Sequence, residues 1–304
     1  MNRPYIICHM LTSLDGKVTG DFLYTPTGLA ASETYYEVNR LLRGDAFACG
    51  RVTMESSFTG GFRPDLTPFA DAQVPSGDYI ARQHSYYAVS FDRHGNVGWT
   101  DAFIHDEDEG YDNCHIIEVL CEDTPKPYLA YLRSIGVSYL FAGASEMDLP
   151  LALSKLHDCF GIRKMLLEGG SIINGAFQRA NLIDELSLVI APMTANAEDK
   201  PLFWESTMQE FRLVHEKLFH SSGTVHLRLR NAANRYMAAC WCPRGSDCDF
   251  GMQCREGVYC RLLEVIDVNE HDTAFRFGGD RAQFFRTREE AEHYLQTIRQ
   301  TNAK

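Results

Sequence analysis

The sequence predicts an α/β protein in which helices flank a mixed β-sheet. Short apolar runs alternate along the chain with stretches whose apolar residues recur at helical spacing, which indicates alternating strands and helices. Residues 163–192 give the clearest example, a strand, a Gly-Gly turn, a helix and a second strand. Residues 211–219 and 224–230 follow as an antiparallel pair that closes the sheet. This order favours a largely parallel sheet with a few antiparallel members.

The earlier elements follow from the same periodicities. Tyr35, Val38 and Leu42 form the apolar face of a helix that Ser32 is expected to cap. Residues 59–83 are rich in Gly, Pro and Asp, which predicts an irregular excursion. Strands are predicted at 4–11, 46–49, 86–90, 116–121 and 137–141, and helices at 32–44, from 50, at 128–135 and at 149–160.

The Gly-Gly turn is the most informative segment of the chain. The strand at 165–167 stops at Glu168, and the glycines Gly169 and Gly170 permit a sharp turn and close approach to a ligand. Ser171 is expected to cap the next helix, whose first-turn amides attract phosphate. The segment therefore predicts a site for a dinucleotide pyrophosphate, although a Gly pair alone is also typical of an ordinary turn. No G-x-G-x-x-G fingerprint and no P-loop occurs.

Composition and charge narrow the class of protein. The chain has 304 residues, of which 45% are hydrophobic and 23% charged, as in a globular protein. A net charge of −12 disfavours a nucleic-acid partner, and no apolar run is long enough to span a bilayer. The start of the chain carries no recognisable targeting segment, so we expect a cytoplasmic protein with reduced thiols.

The chain changes character near residue 232, and we predict that residues 233–304 form a small cysteine-rich α+β appendage. Apolar runs at 259–268 and 274–277 predict strands, and a capping box at 287–290 predicts a helix start. The cysteines of this region lack the short C-x₂-C spacing of zinc sites, so free thiols are favoured and no metal site is predicted. They are Cys240, Cys242, Cys248, Cys254 and Cys260.

Three segments carry a resemblance to a known family. Ser-Leu-Asp-Gly-Lys at 13–17, Leu-Arg-Gly-Asp-Ala at 42–46 leading to Gly-Arg-Val-Thr at 50–53, and the stretch 166–192 occur in that order. Together they resemble the pyrimidine reductase family of riboflavin biosynthesis, which has a dihydrofolate-reductase-like fold. The resemblance covers about residues 3–230 and assigns a reductase domain to residues 1–232. It implies transfer of a hydride from NADPH, and a homodimer.

The same resemblance implies a set of cofactor contacts. A helix opening at residue 50 offers amides and side chains to a phosphate. Ser90 corresponds to a contact with the adenosine half, and Arg93 to a partner of the 2′-phosphate. The predicted cofactor-binding residues are Gly50, Arg51, Thr53, Ser56, Ser90, Arg93, Gly169, Gly170, Ser171 and Asn174.

The resemblance also implies residues for chemistry. A carbonyl or imine that accepts a hydride needs a proton donor or a positive charge nearby. We expect Lys17 to polarise or protonate the substrate and Glu168 to orient it. Ser13 and Asp15 are expected to anchor the heterocycle or to shape the loop, since Asp-Gly is also a common turn dipeptide.

The sequence departs from the riboflavin enzymes at several motifs, which leaves the substrate open. The deaminase motifs H-x-E and P-C-x-x-C are absent, so we expect a stand-alone reductase. Residues 25–36 lack the Trp and Arg of the family segment, and Phe69 replaces a further Arg. The expected substrate is a small heterocyclic or ribosylated molecule. The alternatives are a dihydrofolate reductase, with Glu33 or Glu37 facing the pterin, and a non-enzymatic metal- or redox-sensing protein that uses the cysteines of 240–260.

Overall fold

The computed structural model describes residues 2–234, 236–241, 262–267 and 283–301, and within them ten strands form one mixed sheet. The strands are β1 (Tyr5–Thr12), β2 (Ala46–Gly50), β3 (Tyr87–Phe91), β4 (Phe103–Ile104), β5 (Cys114–Leu120), β6 (Ser138–Phe141), β7 (Lys164–Leu167), β8 (Glu185–Ile190), β9 (Phe211–Phe219) and β10 (Thr224–Asn231). The helices packed on them are α1 (Pro26–Leu42), α2 (Arg51–Met54), α3 (Lys126–Ile135), α4 (Leu149–Phe160) and α5 (Ser171–Arg179).

The strand order is β4-β5-β3-β2-β7-β1-β8-β10-β9, and β6 also pairs with β5. The strands from β5 to β8 along this order are parallel, whereas β4, β10 and β9 join in antiparallel fashion. Parallel strands gather their carboxyl ends at one edge, so the segments that follow β1, β2 and β7 meet there. The predicted mixed α/β sheet with a closing antiparallel pair is confirmed.

The core lies on both faces of the sheet. In β1, Ile7 and Leu11 pack towards α1 and α3, and Cys8 and Met10 pack towards α4 and α5. Every residue of β1 is buried, which explains why its sequence is a continuous apolar run instead of an alternating one. The central strands are therefore fixed from two sides.

Helix α1 begins earlier than the sequence periodicity indicates. Thr25 is its cap, because the Thr25 hydroxyl accepts a hydrogen bond from the amide of Gly28 at 3.0 Å, and Pro26 occupies the first helical position. Ser32 lies inside the helix and donates to the carbonyl of Gly28. The prediction that Ser32 caps this helix is wrong, because a Thr-Pro pair upstream supplies both a cap and a preset backbone angle.

The described part of the C-terminal region is a second, three-stranded sheet with one helix. Its elements are β11 (Tyr236–Trp241), β12 (Leu262–Asp267), β13 (Gln283–Phe285) and α6 (Arg288–Thr301). The predicted capping box is confirmed, since the Glu290 amide donates to Thr287 Oγ1 and its carboxylate accepts from the Thr287 amide, each at 3.2 Å. Cys240 falls in β11, whereas the other four cysteines and the strand at 274–277 lie outside the described residues. The boundary at 232 stays a prediction.

Two absences apply to all the residues that the structure describes, and to those residues alone. None of the helices that the structure describes is long and apolar enough to cross a membrane. Over the same ranges, no group of three or more His, Cys, Asp or Glu side chains is arranged to hold a metal ion.

A buried polar chain crosses three strands behind the carboxyl edge of the sheet. His9 Nδ1 lies 3.0 Å from Ser187 Oγ, which lies 2.8 Å from His226 Nε2. Burial lowers the pKa of His9 to about 4 and the pKa of His226 to about 2. Both imidazoles are therefore neutral in the folded protein at neutral pH.

This neutrality predicts a loss of stability in mild acid. An unfolded histidine takes up a proton near pH 6.5, whereas the folded groups do so only near pH 4 and below, so stability falls as pH falls below about 6.5. Between pH 7 and pH 5 each histidine removes roughly 2 kcal/mol from the free energy of unfolding. We expect urea unfolding to show a correspondingly weaker pH dependence for His226→Gln. The exposed His105→Gln variant is the control, and equal pH dependence in all three proteins would contradict the assignment.

Candidate active site

Two predicted ligand-binding segments meet at the carboxyl edge of the sheet. The amide of Gly50 donates to the carbonyl of Gly169 at 2.7 Å, and the amide of Glu168 donates to the carbonyl of Ala48 at 2.8 Å. A Cβ placed on Gly170 would lie 3.3 Å from Thr53 Oγ1. The start of α2 and the Gly-Gly turn are therefore in direct contact.

The turn itself presents backbone and no side chain. Its peptide bond between Gly169 and Gly170 is cis, and Gly169 has a φ of +105°, which favours glycine. Gly170 caps α5 without a side-chain hydrogen bond, so the first amides of the helix remain available for an anion. The prediction that Ser171 is the cap is wrong, because its hydroxyl donates to the carbonyl of Pro201.

Asn174 contacts the neighbouring segment instead of the turn. Its side chain is fully buried, and Nδ2 donates to the carbonyl of Leu202 at 3.4 Å. Its Oδ1 is buried without a hydrogen-bond partner. These contacts fix α5 against the 201–204 segment, and a pyrophosphate contact from Asn174 stays a prediction.

A cluster of charges surrounds the start of α2. Glu55 lies between two arginines, with Arg51 at 2.6 Å and Arg63 at 2.7 Å. Burial opposes ionisation of Glu55, but hydrogen bonds from Arg63 and Arg51 hold its pKa below the ordinary value. Ser56 donates to the carbonyl of Thr53. The charge of Arg51 is thus shared with Glu55, a partner that the sequence motif did not indicate.

Glu168 is the central titratable group of the site. Its side chain follows β7, is 8% exposed, and accepts hydrogen bonds from Asn39 Nδ2 at 2.5 Å and from the Tyr111 hydroxyl at 2.8 Å. Burial raises the pKa of Glu168 to about 7, although hydrogen bonds from Tyr111, Tyr35 and Asn39 act against the rise. The carboxyl is therefore able to hold or release a proton at neutral pH. Sequence reasoning missed Asn39 and Tyr111 entirely.

Aromatic rings account for the burial of Glu168. The Tyr111 ring meets Phe47 edge-on at 5.0 Å and Tyr36 edge-on at 6.1 Å. Tyr35 stacks on His9 with 4.3 Å between ring centroids and 1° between ring planes. The Glu168 carboxyl lies within this aromatic shell. Its hydrogen-bond donors are the side chains of Asn39, Tyr111 and Tyr35.

The Ser13–Lys17 segment is a hydrogen-bonded loop. Ser13 Oγ donates to Asp15 Oδ1 at 2.7 Å, and this bond lowers the pKa of Asp15. Lys17 Nζ donates to the carbonyls of Ala197 at 2.9 Å and Asp199 at 2.8 Å. Ser13 and Asp15 therefore shape the loop, one of the two expected outcomes. Lys17 joins it to the 197–199 segment and retains one further N–H group.

The two residues predicted to contact the adenosine half differ in accessibility. Ser90 is fully buried in β3, with its hydroxyl close enough to Glu118 of β5 to affect the pKa of that carboxyl. The contact of Ser90 with the adenosine half stays a prediction. Arg93 is partly exposed and pairs with Glu146 at 2.8 Å, so its contact with a phosphate stays a prediction.

The strand order and the Gly-Gly turn define a dihydrofolate-reductase-like α/β protein, and solved structures share this fold. The chain superposes on Acinetobacter baumannii RibD with a TM-score of 0.52 at 21% identity, over 76% of this chain and 58% of that one. It superposes on a pyrimidine reductase-like protein from Corynebacterium diphtheriae with a TM-score of 0.53 at 16% identity, over 75% of this chain and 92% of that one.

Sequence comparisons relate the chain to known reductases. Residues 111–227 match the model of the RibD C-terminal domain. A 2,5-diamino-6-ribosylamino-4(3H)-pyrimidinone 5′-phosphate reductase of Methanothermobacter thermautotrophicus is 28% identical over 203 residues, which cover 65% of this chain and 82% of that protein. The reductase of the same name from Aquifex aeolicus is 25% identical over 244 residues, covering 76% and 92%. The chain is therefore similar to the pyrimidine reductases of riboflavin biosynthesis, and its residues 111–227 carry the match to their domain model.

The hydrogen bonds at Glu168 predict the effect of removing one donor. Tyr111→Phe leaves Oε2 without its hydroxyl donor, so the charged carboxylate loses stabilisation and the pKa of Glu168 rises further. We expect a rise of about one pH unit or more, since a hydrogen bond to a charged group contributes roughly 1.5–3 kcal/mol. Carboxyl ¹³C NMR titration, assigned with Glu168→Gln, measures the pKa.

Tyr86→Phe is the matched control, because the Tyr86 hydroxyl donates to the carbonyl of Gly110 and not to Glu168. A pKa of Glu168 that stays constant or falls in Tyr111→Phe would contradict the assigned hydrogen bond.

Proposed function

We propose that this chain is an NADPH-dependent reductase of 2,5-diamino-6-ribosylamino-4(3H)-pyrimidinone 5′-phosphate or of a closely related ribosylated heterocycle. The observation that carries the proposal is the buried Glu168 carboxyl, whose pKa is about 7, beside the Gly-Gly turn. The names of the relatives from Methanothermobacter thermautotrophicus and Aquifex aeolicus support the substrate class. The expected homodimer is part of the same proposal.

The residues at the carboxyl edge fit a dinucleotide. Gly169 and Gly170 leave the N-terminus of α5 free of side chains, so a pyrophosphate would receive hydrogen bonds from backbone amides there. Arg51 and Arg63 bring positive charge to the adjoining segment, and Arg93 is the predicted partner of the 2′-phosphate that distinguishes NADPH from NADH. The bound cofactor would supply the hydride.

The chemistry of the substrate gives Glu168 and Lys17 distinct roles. A ribosylamino group opens to an imine, whose reduction adds a hydride to carbon and a proton to nitrogen. Asn39 and Tyr111 hold the Glu168 carboxyl in one orientation, where it orients the substrate and exchanges a proton at neutral pH. Lys17 adds a positive charge from the loop after β1, which stabilises electron density as it develops.

Blocking the turn tests the cofactor assignment. Gly170→Asp adds a carboxylate at the proposed pyrophosphate site, and we expect it to weaken NADPH binding at least tenfold in a fluorescence titration. Gly170→Ala is the matched control, because this position has a φ of −82° and a Cβ would need only a small shift of Thr53 Oγ1. Equal NADPH affinity in both variants and the wild type would overturn the assignment. NADH titrated in parallel tests the role of the 2′-phosphate.

Replacing the carboxyl tests the catalytic assignment. Glu168→Gln is expected to lower kcat about 100-fold or more for NADPH oxidation with the pyrimidinone phosphate as substrate, and to remove any pH dependence near 7. The exposed Glu122→Gln variant should keep wild-type kcat. Unchanged turnover in Glu168→Gln contradicts the role. Turnover of dihydrofolate in place of the pyrimidinone would make the protein a dihydrofolate reductase.

A further inference from the structure

A cavity lies at the edge of the sheet opposite to Glu168. Its volume is about 510 Å³, within the range of small-molecule sites. It opens where β1 and β7 begin, whereas the candidate active site lies where these strands end. The C-terminal segment formed by β13 and α6 closes its other side. The lining residues that matter below are Arg3, Tyr5, Arg163, Phe285 and Tyr294.

Arg163 contributes a positive charge that the described residues do not neutralise. The other two arginines at the cavity have partners, since Arg3 binds both oxygens of Asp184 at 2.6 and 2.7 Å and Arg286 donates to the carbonyl of Asn181. The backbone of Arg163 is hydrogen-bonded, but its guanidinium makes no hydrogen bond or ion pair within the described ranges. An exposed guanidinium of this kind binds a carboxylate or a phosphate through two parallel hydrogen bonds.

The two acids that line the cavity, Glu290 and Asp184, are already engaged. The Glu290 carboxylate accepts the backbone amides of Arg286 and Thr287 at the start of α6, at 3.1 and 3.2 Å. Asp184 is paired with Arg3 and also accepts the amide of Ile6 at 2.8 Å. Among the described residues of this lining, neither carboxylate is therefore paired with the Arg163 guanidinium.

Aromatic rings form one wall of the cavity. Phe285 lies between Tyr5, with ring centroids 6.0 Å apart, and Tyr294, with ring centroids 5.2 Å apart. Burial raises the pKa of Tyr294 to about 12, so its hydroxyl is neutral. Such a wall favours a flat ring, because aromatic surfaces bury area against each other with additional attraction.

We propose that this cavity is a second ligand site, specific for a flat aromatic molecule that carries an anionic group, such as a nucleoside monophosphate. The ring packs on Phe285 and Tyr294, and the anion binds Arg163. The site is independent of the proposed reductase function, because β7 separates it from Glu168.

Calorimetric titration of the full chain with AMP tests the site, with adenosine, inorganic phosphate and anthranilate as further probes. We expect AMP to bind with a stoichiometry of one in Gly170→Asp, in which the proposed pyrophosphate site is blocked. Arg163→Gln should weaken AMP binding at least tenfold, while the exposed Arg212→Gln leaves it unchanged. Anthranilate in place of AMP would identify the anion as a carboxylate.

Two results would overturn the proposal. One is the absence of binding by both AMP and anthranilate to the wild-type chain. The other is AMP binding that is lost in Gly170→Asp and insensitive to Arg163→Gln, which would locate the nucleotide at the carboxyl edge. Failure of NADPH binding leaves this experiment unaffected, because Arg163 does not lie at that edge.

Discussion

Two backbone hydrogen bonds between β2 and β7 hold the candidate active site together. The bonds from Glu168 to Ala48 and from Gly50 to Gly169 extend the pairing of these two parallel strands beyond the end of β7. They bring the N-terminus of α5 beside the N-terminus of α2, and they direct the Glu168 side chain towards α1. The ligand-binding backbone and the titratable carboxyl therefore share one support, the centre of the sheet.

The site combines a carboxyl group that exchanges a proton with charged side chains that are already hydrogen-bonded to the protein. Burial makes Glu168 available for proton exchange near pH 7, and Asn39 and Tyr111 keep the buried carboxyl hydrogen-bonded. Lys17 and Arg51 carry full charges, but each is held by oxygen atoms of the protein. This arrangement favours precise positioning, since most polar atoms are fixed before any ligand arrives.

Local patterns were sufficient to predict the sheet, the Gly-Gly turn and the meeting of strand ends, because apolar periodicity and turn chemistry act over a few residues. Contacts between distant segments were not predictable in this way. Asn39 and Tyr111 reach Glu168 from α1 and from an acidic loop, and no motif marks either residue. Ser90 lies near the end of β3, yet its side chain is fully buried. Thr25 was overlooked because Ser32 offered a similar local signal for the same helix.

The buried chain of His9, Ser187 and His226 couples the tautomers of two histidines. His9 Nε2 lies 3.1 Å from the carbonyl oxygen of Tyr35 and Nδ1 lies 3.3 Å from the carbonyl oxygen of Ser187, and a neutral ring donates to only one of them. With the proton on Nε2, Nδ1 accepts from the Ser187 hydroxyl, which in turn accepts from His226 Nε2. With the proton on Nδ1 and donated to Ser187 Oγ, the hydroxyl donates to His226 Nε2 instead. The position of one proton next to the active site therefore sets the tautomer of a ring two strands away.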